Sequence, residues 1–172
     1  MPIGPLPPGC VAICAPGAGD ATGDVSAAGT CQLSTAGVVL SEVLVTGCTV
    51  DNVKFQIVTS RAIGVTVDVT VSFTFTGTID GFTFRGQATC SDSIFFTQVL
   101  GPTHTTLLAP PDCSSNLTCT ARAAGFDEAS SVQTFIVRLA GSLTCVICGG
   151  EFVVVQACPP PAAPGTASDA RS

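Results

Sequence analysis

Residues 65–76 read VTVDVTVSFTFT, in which every odd-numbered position is Val or Phe and every even-numbered position is Thr, Ser or Asp. This alternation has the period of a β-strand with one apolar face and one polar face. At about 3.3 Å per residue such a strand would span about 40 Å, which is longer than most strands. The stretch therefore predicts a long strand with one face in a core.

A turn signal follows this strand directly. Asp80-Gly81 is typical of a two-residue hairpin turn, because glycine tolerates the positive φ that the turn requires. The predicted hairpin pairs 65–79 with the residues after the turn and brings the apolar residues of both strands to one face. The expected partners are Ile79 with Phe82, Phe75 with Gly86, Phe73 with Ala88, and Val71 with Cys90.

The remaining pattern is also of the β type. Gly149-Gly150 predicts a second hairpin, joining 139–148 to 151–158, with strands that are apolar on both faces. One helical turn is conceivable within 121–131. Further strands are expected at 36–46, 52–59, 93–100, 116–122 and 132–138. The fold class is therefore all-β, a single antiparallel β-sandwich or jelly roll of about eight strands with an extended N-terminal arm.

Composition divides the chain into three zones. Residues 1–29 form a Pro/Gly-rich arm, residues 30–158 form the β-sandwich domain, and residues 159–172 form a Pro-rich C-terminal tail. The start of the arm, residues 1–9, contains no Lys or Arg, so it does not have the pattern of a secretory signal peptide. Either a signal was removed, or the chain leaves the cell by another route such as lysis.

The charge content narrows the classes of partner. Only 10% of the 172 residues are charged and the net charge is −6, while 46% are hydrophobic. The few basic residues form no stripe that could neutralise phosphates, which argues against nucleic-acid binding. No apolar run is long enough to predict a membrane span. Such a weakly charged surface favours a protein that is covered by partners.

Catalytic chemistry has little support. His104 is the only histidine and lies in a turn-like segment, where an exposed loop residue is the simplest interpretation. A Cys-His or Ser-His-Asp arrangement would need that histidine beside a free thiol or on a nucleophile elbow, and neither pattern is present. We therefore expect no enzyme activity and no cofactor. Asn116 begins an Asn-Leu-Thr triplet that fits the N-glycosylation pattern.

The ten cysteines are the one informative constellation. Their number is typical of proteins in an oxidising, extracellular setting, where structural disulfides persist. Sequence alone does not fix the pairing. A tetrahedral zinc site made of Cys10, Cys14, Cys145 and Cys148 is an alternative, and a redox role for Cys145-x-x-Cys148 is a weaker one.

Position separates two of these cysteines from the others. Cys10 and Cys14 lie in an arm that, in extended Pro-rich form, would reach about 40 Å over its first 14 residues at about 3 Å per residue. That reach is sufficient to enter a neighbouring subunit, so Cys10 and Cys14 are candidates for intersubunit disulfides. The other eight are candidates for intrachain bridges or acceptors, namely Cys31, Cys48, Cys90, Cys113, Cys119, Cys145, Cys148 and Cys158.

This layout of a cysteine-bearing arm before a Thr/Val-rich β domain resembles the endospore appendage subunits of Firmicutes. The resemblance implies a jelly roll that stacks into fibres, with the arm forming disulfides to subunits below. Cys10 and Cys14 would then be the arm thiols. The acceptors would come from Cys31, Cys48, Cys119, Cys145, Cys148 and Cys158. The chain departs from that family in its spaced arm cysteines, longer domain and Pro-rich tail.

The sequence thus predicts a structural subunit that self-assembles into a disulfide-stabilised filament on a cell or spore surface. The partner is the chain itself, through arm exchange and strand addition at sheet edges. Two alternatives remain open at this stage. One is a secreted monomeric β-sandwich adhesin or binding module with intrachain disulfides, and the other is a cysteine-ligated zinc protein.

Overall fold

A computed structural model describes residues 11–13, 19–102, 105–108, 110–148 and 155–157. Every regular element in these residues is a strand, which confirms the all-β class. The described part of the chain contains no helix that could span a membrane. The strands are β1 (Val11–Ile13), β2 (Asp20–Ser34), β3 (Val39–Thr59), β4 (Ala62–Ile79), β5 (Phe82–Val99), β6 (Thr106–Leu107), β7 (Cys113–Asp127), β8 (Val132–Cys148) and β9 (Val155–Ala157).

The first sheet is the antiparallel meander β3-β4-β5, with β4 in the centre. The ladder between β4 and β5 runs without a register shift from Ala62 opposite Val99 to Ile79 opposite Phe82. Asp80 and Gly81 form the turn, and both have positive φ values, of 49° and 81°. All four pairs predicted from the alternation of 65–76 are confirmed. A slip of one residue would turn the buried valines to the outer face, so burial of one face fixes this register.

The second sheet is built around β8. β2 pairs antiparallel with one side of β8, while β7 and the short β6 pair with its other side. The two sheets pack face to face, and the odd-numbered residues of β4 from Ile63 to Phe73 are buried between them. Phe73 meets Phe135 of β8 across the interface, with ring centroids 4.6 Å apart. The predicted antiparallel sandwich is thereby confirmed.

The edges of the two sheets lie next to each other in pairs. β2 runs beside β5, as shown by the close approach of Gly29 to the Ile94 side chain, and β3 runs beside β7. Because β2 lies beside β5 and leads directly into β3-β4-β5, these four strands follow the Greek-key order found in jelly rolls. We call the end with the Asp80-Gly81 turn the Asp80 end, and the opposite end, where β2 begins, the Asp20 end.

The strands are longer than the sequence pattern indicated. Segments 36–46 and 52–59 belong to one strand, β3, whose ladder with β4 shifts register between Ser41 and Leu44, Val45 and Gly47, and Val50 and Asn52. These β-bulges accommodate polar and glycine residues that, in the sequence pattern, look like the ends of separate strands. Likewise 132–138 and 139–148 form the single strand β8, and no helical turn occurs in 121–131.

The largest difference from expectation is β2. The Gly/Ala-rich composition predicts that residues 20–29 belong to the arm, yet they form most of this strand, so the sandwich begins at Asp20 rather than at residue 30. Small residues are needed here because β2 approaches β5 closely. A Cβ at Gly29 would lie 2.8 Å from Ile94, and one at Gly23 would lie 2.8 Å from Leu100.

The hairpin predicted around Gly149-Gly150 would pair 139–148 with 151–158, and the described residues do not show this pairing. β8 ends at Cys148, where Thr106 of β6 is its partner, and β9 pairs antiparallel with β1 instead. Residues 149–154 lie outside the described residues. The strand pairing therefore joins Val155–Ala157 to Val11–Ile13, two segments far apart in the sequence.

The turn between β7 and β8 is held by one carboxylate. The backbone N–H of Ala129 donates to Oδ1 of Asp127 at 3.0 Å, and the Ser130 hydroxyl donates to its Oδ2 at 2.8 Å. These hydrogen bonds, that of Ser130 first, hold the pKa of Asp127 below its usual value because they favour the ionised carboxylate.

A glycine on β8 makes a test of this fold. Gly141 has φ +144°, and a Cβ there would lie 1.9 Å from the carbonyl oxygen of Asn116 on β7. We expect Gly141→Ala to lower the free energy of unfolding by about 2–3 kcal/mol, because backbone strain and the clash both act. Gly47→Ala is the control, since no atom lies within 4 Å of its Cβ position, and its effect should stay within about 0.5 kcal/mol. Urea unfolding followed by far-ultraviolet circular dichroism measures both, and equal effects would contradict the β7–β8 register.

Candidate assembly surface

Two disulfides join the sheets, one at each edge of the sandwich. Cys31 of β2 is bonded to Cys90 of β5, with Cα atoms 6.2 Å apart, and Cys48 of β3 is bonded to Cys119 of β7, with Cα atoms 5.6 Å apart. Each edge where β2 meets β5, or β3 meets β7, is therefore closed covalently. The sequence predicted intrachain disulfides, and the structure supplies these pairings.

The two bridges start from one level of the first sheet and reach the second sheet four residues apart along β8, beside Phe135 and Leu139. Cys48 is the β-ladder partner of Val71, and Val71 is the partner of Cys90, so the three residues form one cross-strand row. Val71 is fully buried at the centre of this row. The disulfides thus form a covalent belt around the core, and the sheets cannot separate at that level without breaking a sulfur–sulfur bond.

A third disulfide lies within the second sheet. Cys113 of β7 and Cys145 of β8 face each other directly in the ladder and are bonded, with Cα atoms 4.0 Å apart. Cys148 is disulfide-bonded as well. Structural disulfides of this kind indicate an oxidising environment.

This pairing corrects two alternatives drawn from the sequence. The zinc set of Cys10, Cys14, Cys145 and Cys148 loses Cys145, because its sulfur is bonded to Cys113 and cannot act as a thiolate ligand. The redox interpretation of Cys145-x-x-Cys148 is also wrong, because Cys145 is bonded to Cys113 and not to Cys148. Among the residues that the structure describes, no group of three or more His, Cys, Asp or Glu side chains could hold a metal ion.

Several predicted residues lie outside the described residues. These are the arm cysteines Cys10 and Cys14, the tail cysteine Cys158, and His104. Asn116 is described and lies exposed on β7, which is compatible with modification of its side chain. The intersubunit role of Cys10 and Cys14 stays a prediction, as does the expectation that the chain is not an enzyme.

The two edges of the sandwich differ in regularity. At one edge, β3 has four register shifts and β7 has one, so their backbones are bulged. At the other edge, the ladders of β2 and β5 have no register shift over 15 and 18 residues. Bulges, charges and prolines are the usual protection of sheet edges. The β2/β5 edge lacks bulges and prolines, and it carries only Asp20, Asp24, Arg85 and Asp92 as charged residues.

On the outer face of the first sheet, hydroxyl groups donate hydrogen bonds to the carboxylates of neighbouring strands. Thr70 of β4 donates to Asp51 of β3 and shares a 3.0 Å hydrogen bond with Ser91 of β5. Ser93 of β5 donates to Asp68 of β4. Acidic side chains are thus paired with neutral neighbours across the strands, and the face between them is weakly charged.

Sequence reasoning missed the β2/β5 edge, because it took residues 20–29 as an arm. The spacing of Gly23, Gly29 and Cys31 along β2 was the available signal, since each faces a bulky or bonded residue of the neighbouring strand. Small residues on one face of a strand indicate close approach of another element. Compared with known proteins, the chain matches no family model, no curated protein and no solved structure.

Proposed function

We propose that the chain is a structural subunit that assembles with copies of itself into a disulfide-stabilised extracellular filament. The observation that carries this proposal is the β2/β5 edge. Two unbulged strands without prolines lie side by side there, and the described residues place no further strand against either. A strand from another copy could add to this edge and receive backbone hydrogen bonds along its length.

The disulfides support an extracellular location for the filament. Three intrachain bridges, one of which closes a 71-residue separation, fit a protein that folds where thiols oxidise. The covalent belt would keep each subunit folded under load, because the two sheets are bonded at both edges. The resemblance to endospore appendage subunits makes a spore surface the location that we favour.

The N-terminal arm supplies the covalent lock in this proposal. Of the seven cysteines on the long strands of the sandwich, six are paired with each other, and Cys148 is disulfide-bonded as well. Cys10 and Cys14 are not among these six, and they precede the sandwich, which begins at Asp20. Arm exchange through these two residues would convert a stack held by hydrogen bonds into a covalent polymer.

A denaturing gel run with and without reductant tests the proposed function. The material is isolated with a thiol-alkylating reagent present from the start, so that no disulfide forms during preparation. We expect high-mass material that collapses to a 17.2 kDa band on reduction. A monomer band in both lanes would contradict the covalent filament and favour a secreted monomeric binding module.

A further inference from the structure

Beyond the strand edges, the molecule exposes apolar residues at the tip of the β4–β5 hairpin. Along the inner face of this hairpin, the large side chains become more exposed toward the Asp80 end, while Gly77 between them is covered by Phe84 and Val38. Phe73 is fully buried, Phe75 is half-buried, and Phe82 at the tip is 75% exposed. The second sheet therefore stops covering the hairpin near Phe75, and the remainder projects beyond it. We call the exposed inner-face residues Ile79, Phe82 and Phe84 the tip patch.

A second apolar patch lies at the Asp20 end, on the outer face of the same sheet. Phe95 is 62% exposed, and its ring lies over Gly64, where Val58 approaches from the other side. Val99 continues the patch along β5 toward the Asp20 end and is also exposed. We call Val58, Phe95 and Val99 the outer patch. Large exposed side chains grouped in this way are typical of interaction sites.

We propose that the tip patch of one copy covers the outer patch of the next, so that copies overlap like roof tiles along the strand direction. The orientation of the two faces supports this contact. The tip patch faces the side on which the second sheet lies, and the outer patch faces the opposite side. Two copies in the same orientation, displaced along the strands and offset by about 10 Å, one sheet spacing, would therefore bring these faces together.

The dimensions of the two patches agree. From Phe75 to Ile79 the overhang is four residues long, and from Phe95 to Val99 the outer patch is also four residues long. Each corresponds to about 13 Å at about 3.3 Å per residue. In this overlap the hairpin tip would reach the row that contains Phe95, so the tip and outer patches would cover each other over their full lengths.

Charge favours the same overlap. Asp80 occupies the turn at the very tip of the hairpin. Lys54 is the ladder partner of Thr66, which is in turn the partner of Phe95, so Lys54 lies in the row that the tip would reach. The carboxylate of one copy would therefore approach the ammonium group of the next. An acid at the tip and a base in the row that the tip would reach favour a parallel, head-to-tail arrangement over a tip-to-tip one.

The contact joins two different surfaces of one chain, so it is heterologous and open-ended. Each copy keeps a free tip patch at one end and a free outer patch at the other, which permits growth without limit. The inference rests on the proposed function in taking a second copy as the partner. It adds the axial contact, whereas strand addition at the β2/β5 edge acts sideways.

The test uses the full chain with Cys10→Ser and Cys14→Ser, so that no arm disulfide contributes. In this background Phe82→Glu removes the tip patch and Phe95→Glu removes the outer patch. Leu44→Glu is the matched control, because Leu44 is an equally exposed apolar residue outside both patches. Sedimentation velocity over a concentration series measures self-association, and circular dichroism verifies that each variant is folded.

Each phenylalanine variant alone should need at least tenfold more protein to self-associate, and the Leu44 control should behave like the background. An equimolar mixture of the two variants should regain association that neither variant shows alone, because the intact tip patch of one variant can cover the intact outer patch of the other. Weakened association of Phe82→Glu together with unchanged association of Phe95→Glu would show a tip-to-tip contact instead. Unchanged association of both variants, or a background that is monomeric throughout, would also overturn the inference. The gel on the unmodified chain reports on the covalent filament separately.

Discussion

Replacing all four belt cysteines with alanine, Cys31 and Cys90 together with Cys48 and Cys119, is expected to leave a chain without a cooperative unfolding transition at room temperature. The two bridges span sequence separations of 59 and 71 residues. Closing loops of that size removes chain entropy worth about 4 kcal/mol each from the unfolded state. Their sum is comparable with the entire net stability of an ordinary domain, about 5–15 kcal/mol.

Each pair removed on its own should have an intermediate effect. We expect a loss of up to about 4 kcal/mol for either pair, because the other bridge still restricts part of the same chain. Alanine is the appropriate replacement, since Cys31 and Cys90 are fully buried and a serine hydroxyl would be buried without an assured partner. Circular dichroism is the suitable probe, because the chain contains no Trp and no Tyr for fluorescence.

The third disulfide provides the comparison. Cys113 and Cys145 join strands that are already paired along their length, and they span a separation of 32 residues. Removing this pair should lower the free energy of unfolding while leaving the transition cooperative, since both sheet edges remain bonded. If removal of all four belt cysteines leaves a sharp transition, the side-chain core alone holds the sheets together, and the belt is not what stabilises the sandwich.

The contrast between β4 and β2 shows what the sequence could predict. The register of β4 with β5 followed from local information, because a period of two and a two-residue turn leave only one pairing that puts all apolar residues on one face. β2 also alternates, because its odd-numbered residues from Ala21 to Leu33 are small or apolar and nearly all its even-numbered residues are polar, but no turn signal ties this strand to its neighbour. Gly23 and Gly29 are small because of Ile94 on β5 and Leu100 just after it, and nothing local encodes that neighbour.

The cysteine pairs were beyond prediction for a related reason. Cys31 and Cys90 meet only because β2 lies beside β5, and Cys48 and Cys119 meet only because β3 lies beside β7. Both facts depend on how the sheets are stacked, which the strand pattern does not specify. The bulges of β3 were hidden similarly, since Gly47 and Asn52 look like ends of strands until β4 is placed against them.

The two proposed contacts use different parts of the same sandwich. Strand addition would act along the β2/β5 edge, while the tip and outer patches would act at the ends. A subunit with one sideways contact and one axial contact can form a filament several chains thick, in which each copy is held by more than one neighbour. The low charge of the outer face, where Thr70 and Ser93 satisfy Asp51 and Asp68, is compatible with such close packing.

Replacing Cys10 and Cys14 together with serine in the full chain is expected to abolish the high-mass material on a non-reducing denaturing gel. The six cysteines of the three described intrachain bridges are already bonded within the sandwich, so they are poorly placed to link subunits. The arm cysteines precede the sandwich, and the proposal assigns them the contact with a neighbour. A complete shift to a 17.2 kDa band in the non-reducing lane is the predicted result.

The control removes the same number of cysteines from the domain. Cys113→Ala with Cys145→Ala eliminates one intrachain bridge, and it should leave the reductant-sensitive polymer in place. High-mass material that survives the two serine replacements would show that the arm does not lock the subunits. Loss of polymer in the control as well would show that polymerisation depends on the integrity of the β7–β8 ladder rather than on the arm alone. Arm exchange is supported only if the high-mass polymer is lost in the arm variant and kept in the control. That outcome shows that the arm cysteines link the subunits and that the loss is not caused by a damaged fold.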